Sequence, residues 1–81
     1  MEKKLNDIFT TSDMGLCVSL ICCEHALESL DKANPRKVLF QFSNSVELQK
    51  DIFLYWKNEL LVEPQKFMNQ IKNLKGRLYG N

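Results

Sequence analysis

Glycine and proline are scarce in this 81-residue chain, with three and two residues respectively. That scarcity excludes collagen-like and low-complexity architectures. Because the glycines stand alone at positions 15, 76 and 80, it also excludes a glycine-rich phosphate loop. Long hydrophobic runs are absent too. The longest apolar-rich stretch, Met14 to Cys23, contains Gly15 and Ser19 and is too short to cross a hydrocarbon core of about 30 Å. The start, Met-Glu-Lys-Lys-Leu-Asn-Asp, lacks the apolar segment of a secretory signal, so a cytoplasmic protein with no membrane partner is expected. Neither sign of charge dominates. Eleven basic against ten acidic side chains leave a net charge of +1, and the total charge selects neither a nucleic-acid nor a membrane surface. Cysteine is confined to positions 17, 22 and 23, an odd number in one segment, which is a poor disulfide framework and suits a reducing compartment.

What is present is ordinary globular material, 44% hydrophobic and 26% charged, far from the disordered class. One domain over 1–81 is expected, with an ordered core over about 7–79, and a chain this short buries only roughly 60 to 65% of its unfolded surface. Asp7 to Thr11 reads as a short strand, followed by Ser12 and Asp13 as N-cap residues of a helix. That helix, expected to run to about Glu24, is apolar nearly all round and should lie between other elements, with Gly15, Cys17 and Ser19 allowing close approach. The run Ala26 to Lys32 fits either a helix extension or an edge strand. The turn residues Asn34-Pro35 and the strand Val38 to Phe42, with 38, 40 and 42 on one face, favour an antiparallel hairpin.

Asn44, with Glu47 three residues on, is expected to cap the next helix. Its apolar positions 48, 52, 53, 55, 56 and 60 advance by three and four, and it should end near Asn58. Trp56 continues the spacing of Leu48 and Ile52 and is expected in the core, leaving Tyr55 freer to make an interface. Pro64 suits the first position of a last helix, whose stripe is Phe67, Ile71, Leu74 and Leu78 and whose stop is Gly80. The order is β-α-β-β-α-α, an α+β fold in which a hairpin and a short N-terminal strand pack against three helices.

Several motifs recur along this order: Asp7-Ile8-Phe9-x-Thr11-Ser12-Asp13, His25, Asn34-Pro35-Arg36-Lys37-Val38-x-Phe40-x-Phe42, Trp56, Val62-x-Pro64-x-x-Phe67 and Lys72-x-Leu74-Lys75-x-x-Leu78-Tyr79. Together they resemble a small family of bacterial, archaeal and phage proteins catalogued as a domain of unknown function. Cys17, Cys22, Cys23 and Glu24 depart from that family's pattern, which holds Ala or Gly in the first helix and Gly before the His. The resemblance implies a standalone small domain in a phage or mobile-element setting, and it carries over no catalytic residues.

Chemistry-bearing clusters are few. Cys22 and His25 would share a face of a helix, but Cys23 points about 100° away, and a structural zinc site needs four ligands in spaced pairs. No metal, no cofactor and no cysteine nucleophile are expected; buried thiols and a helix-end histidine suffice. The carboxylates Asp13, Asp31, Glu47, Asp51, Glu59 and Glu63 are scattered over caps, turns and exposed faces, so neither an enzyme nor a small-molecule substrate is expected. Charge is distributed unevenly, however. From Pro64 onward lie Lys66, Lys72, Lys75 and Arg77 with no acidic residue, whereas the preceding chain has seven basic against ten acidic side chains. Lys66, Gln70, Asn73 and Arg77 fall on one side of the last helix, opposite its apolar stripe, and Arg36 and Lys37 extend the basic set. This mixture suits phosphates and base edges, and nucleic acid is the first expected partner. A surplus of large apolar side chains, Tyr55, Trp56, Leu61, Met68 and Tyr79, points to the alternative, a host protein or a second copy in a homodimer.

Overall fold

The computed structural model of the chain describes residues 8–79, so Asp7 and Gly80, expected in the first strand and at the end of the last helix, lie outside the described residues. The elements are β1 (Ile8–Thr11), α1 (Met14–Cys22), β2 (Leu27–Asp31), β3 (Leu39–Ser43), α2 (Val46–Trp56) and α3 (Pro64–Tyr79). This is the β-α-β-β-α-α order of an α+β fold. The strands form one antiparallel sheet in the order β1-β3-β2, so the phenylalanine strand is central and the other two are edges.

Residues directly opposed across an antiparallel ladder share a face. Phe9 and Leu27 both oppose Phe42, while Thr11 and Leu30 both oppose Phe40, and these six define the core side of the sheet. Leu27 and Leu30, three residues apart, would point to opposite faces of a regular strand. An irregularity between Leu27 and Ser29 takes up Glu28 and brings both leucines to the core. The other face is mixed: it carries Ile8 and Leu39, and there Ser29 is bonded to Gln41 and Ser43 to Glu28.

α1 packs against α2 and α3, and Leu16, Cys17, Val18, Ser19, Leu20 and Cys22 are all buried, as an all-round apolar helix requires. Phe40 and Phe42, Leu48 and Ile52 of α2, and Leu74 of α3 complete the core. At Gly15, α1 approaches Tyr55 of α2 closely. A Cβ there would meet the Tyr55 hydroxyl at 2.7 Å.

Asp13 caps α1, its Oδ1 accepting from the Leu16 N–H at 2.9 Å. The helix ends at Cys22, earlier than expected, through a Schellman turn: Glu24 takes φ 72°, its N–H donates to the Ile21 carbonyl, and the His25 N–H donates to that of Leu20. Asn58 at φ 63° closes α2 in the same way, with its N–H on Tyr55 and that of Glu59 on Leu54. Glu63 accepts from the Gln65 and Lys66 N–H groups ahead of α3, where Pro64 occupies the first position.

Two further expectations are corrected. The cap of α2 is Ser45 in place of Asn44: Ser45 Oγ accepts from the Leu48 N–H at 3.0 Å, whereas Asn44 Oδ1 accepts from the Ser45 N–H and the Gln49 amide. Glu47 thus falls at the second helical position, one short of a capping box. Trp56 lies outside the core, 61% exposed, while Tyr55 is half-buried and packed against it. At about 100° per residue Leu48, Ile52 and Tyr55 fall within about 60°, and Trp56 stands about 80° from Leu48, beyond the strip that α2 buries.

Candidate nucleic-acid interface

The connection between β2 and β3 is built around Asn34. Its carbonyl accepts from the Lys37 N–H at 3.0 Å and its Oδ1 from the Arg36 N–H at 2.9 Å, so Pro35 and Arg36 form the centre of a locked turn. Arg36 and Lys37 are therefore presented on a fixed backbone. They stand with Lys32 at the edge of a concavity of about 670 Å³, whose other walls are Ser12, Met14, Val38, Phe40 and the end of α3 at Leu78 and Tyr79. Among the described residues no carboxylate lines it. Lys32 ties the two sides together, its Nζ donating to the Arg77 carbonyl at 3.2 Å.

The basic residues of α3 do not form a single stripe. Lys66, Gln70, Asn73 and Arg77 share a row, yet it flanks the packing face, about 90° round from it, instead of lying opposite. Gln70, Asn73 and Arg77 line a smaller groove of about 290 Å³ against Ile21, His25 and Leu27. Lys66 is paired with Glu24 at 2.7 Å. That hydrogen bond holds the lysine above its ordinary pKa and the glutamate below its own. Lys72 lies on the outer side of α3 beside Met68, and Lys75 is exposed one turn before Tyr79.

Lys32 is the residue that the sequence did not single out. Its neighbour Asp31 cancels it in any local count of charge, but in the structure the Asp31 carboxylate accepts from the Ala33 N–H. Tyr79, grouped by sequence with an aromatic surface, lines the cation-rich concavity.

The cysteine and histidine cluster is dispersed by the early end of α1. His25 leaves the helix and its Nε2 meets Asp51 Oδ2 of α2 at 2.7 Å, a pairing of residues 26 apart that no local spacing could signal. Burial pushes the Cys17 thiol up to about 12, against a lowering by Arg77, and raises Cys22 and Cys23 as well. A thiol held protonated is a poor nucleophile and a poor ligand. Among the described residues no three His, Cys, Asp or Glu side chains converge to hold a metal ion. No helix of the described residues is long and apolar enough to cross a membrane.

The exposed large apolar side chains do not gather at one place. Val46, Phe53 and Trp56 lie on the outward side of α2, where Lys57 Nζ sits 5.2 Å from the Phe53 ring centre and Tyr55 meets Trp56 edge-on at 5.0 Å. Leu61 follows in the loop, and Met68 and Tyr79 are on α3.

No curated protein and no solved structure matches the chain. Over residues 6–80, almost the whole sequence, the chain matches the family described as Domain of unknown function (DUF5659), to which it belongs.

Proposed function

We propose that this protein is a non-enzymatic binding module whose partner is nucleic acid, working in the cytoplasm of a phage-infected or mobile-element-carrying cell. The observation that carries the reading is the meeting of Lys32, Arg36 and Lys37 around one concavity at the end of an α3 that contains no acidic residue. Phosphate contacts need positive charge at an accessible, fixed spacing, and the locked Asn34 turn supplies it. Arg77, with Gln70 and Asn73, adds a second basic and amide-bearing groove on the adjoining flank of α3. The test is fluorescence anisotropy with duplex and single-stranded oligonucleotides at about 50 mM salt, where phosphate contacts are strongest. Binding that weakens with salt, and that an Arg36→Glu, Lys37→Glu double variant abolishes, is expected. Absence of binding to either form sinks the reading.

A second reading is supported by the outward side of α2, where Val46, Phe53 and Trp56 are exposed together. It makes the module a protein-interaction factor or a homodimer. Sedimentation equilibrium with Trp56→Ser as control tests the homodimer: a monomer at high concentration removes that version.

A further inference from the structure

The concavity beside the Asn34 turn has walls of two kinds. Met14, Val38, Phe40 and Leu78 make an apolar floor, while Lys32, Arg36 and Lys37 stand around it. Tyr79, 78% exposed, projects from the end of α3 at its edge. A surface that only grips the backbone of a duplex has no use for such a floor, since the faces of bases in a duplex are stacked out of reach. A bare anion would also leave it wet.

We infer that this concavity takes one unstacked nucleotide of a single-stranded nucleic acid, with its base on the apolar floor and its phosphate between Arg36 and Lys37. The inference rests on the nucleic-acid reading above and names the form of the strand. Its size fits, because sites for ligands of this class range over about 300–1,000 Å³ with apolar walls and a few polar groups. The chemistry fits as well. A guanidinium grips phosphate through two parallel hydrogen bonds, and an exposed tyrosine offers a face on which a base of any identity stacks. The turn that carries Arg36 and Lys37 is already held by Asn34, so little backbone ordering remains to be done on binding.

The experiment has two arms on the full chain at about 50 mM salt. In the first, anisotropy compares a short single strand with its own duplex for the wild type, Tyr79→Ala and Arg36→Ala, all at exposed positions and checked for folding by circular dichroism. The single strand is expected to bind more tightly, and Tyr79→Ala to lose about tenfold on the single strand while barely changing the duplex. In the second, ¹H–¹⁵N spectra are recorded with thymidine 5′-monophosphate and with inorganic phosphate. The nucleotide is expected to move the resonances of Val38, Phe40, Leu78 and Tyr79, and phosphate only those of the turn. Equal affinity for both strand forms with no effect of Tyr79→Ala overturns this inference and leaves the broader reading standing, as does a phosphate response equal to that of the nucleotide. Failure of every oligonucleotide to bind overturns both.

Discussion

Two positions in α1 carry consequences that a list of apolar positions hides. Cys17 is fully buried, and burial raises its thiol from an ordinary 9.0 to about 12. The unfolded chain therefore releases this proton first as pH rises. The contribution to stability is complete below about pH 9 and falls through the window up to about 12, by as much as about 1.4 kcal/mol per pH unit. Cys22, Cys23 and Tyr55 are shifted in the same direction by burial and add to the slope. Urea unfolding midpoints between neutral and alkaline pH should decline accordingly, and Cys17→Ala should flatten the decline. Gly15 is the second. Alanine would favour the helix by about 1 kcal/mol, yet its Cβ would collide with the Tyr55 hydroxyl. Gly15→Ala should accordingly be neutral or destabilising in the wild type and stabilising in a Tyr55→Phe background. Additive unfolding energies across that double-mutant cycle would show that the close approach does not matter.

Legibility differed from element to element for identifiable reasons. α3 was readable because Phe67, Ile71, Leu74 and Leu78 repeat at helical spacing and Pro64 marks their start. β3 was readable because Phe40 and Phe42 alternate and both are buried. β2 was ambiguous for a physical reason: its two core leucines are three apart, a helical interval, and only the irregularity at Glu28 makes that interval compatible with a strand. The cap of α2 was misplaced by one residue because Asn44 and Ser45 are both good caps, and the hydrogen bond to Leu48 decides between them. Ser45→Ala should cost about 1 kcal/mol in thermal or urea unfolding. Asn44→Ala should cost less, since it leaves the Leu48 N–H satisfied. Trp56 stands outside the core its spacing suggests because stride alone does not show how narrow a strip α2 buries. At the candidate interface, Arg36 and Lys37 were visible beside Pro35, whereas Lys32 and the His25–Asp51 pair depend on tertiary geometry.

For the molecule as a whole, the chain's near-neutral charge conceals a basic α3 and a net-acidic remainder. If three or four phosphates of a single strand are met by Lys32, Arg36, Lys37 and Arg77, the logarithm of affinity should fall against the logarithm of salt with a slope of about −2 to −3, and Arg36→Ala should reduce it by about 0.7. Titration at several salt concentrations reads this directly. Stability is the other whole-molecule quantity. At roughly 0.05–0.15 kcal/mol per residue, a chain of this length has about 4–12 kcal/mol, and deleting one buried phenylalanine, at about 3–5 kcal/mol, exhausts the lower part of that range. Phe42, 0% exposed and paired with strands on both sides, is the residue whose change to alanine should leave the chain largely unfolded by circular dichroism at 25 °C.

The sheet order β1-β3-β2 also sets a timetable. The two edges of β3 are filled by partners at very different distances along the chain: β2 is joined to it by one short turn, whereas β1 lies on the far side of α1 and β2. Closing the short turn is a microsecond event, but the longer closure has more chain entropy to overcome and gains its contacts only once α1 has been packed. Assembly is therefore expected to proceed outward from the hairpin, with β1 the last strand to join and the first to leave. Native-state hydrogen exchange should find the amides bonded between β1 and β3 less protected than those bonded between β2 and β3, and equal protection would contradict this sequence of events.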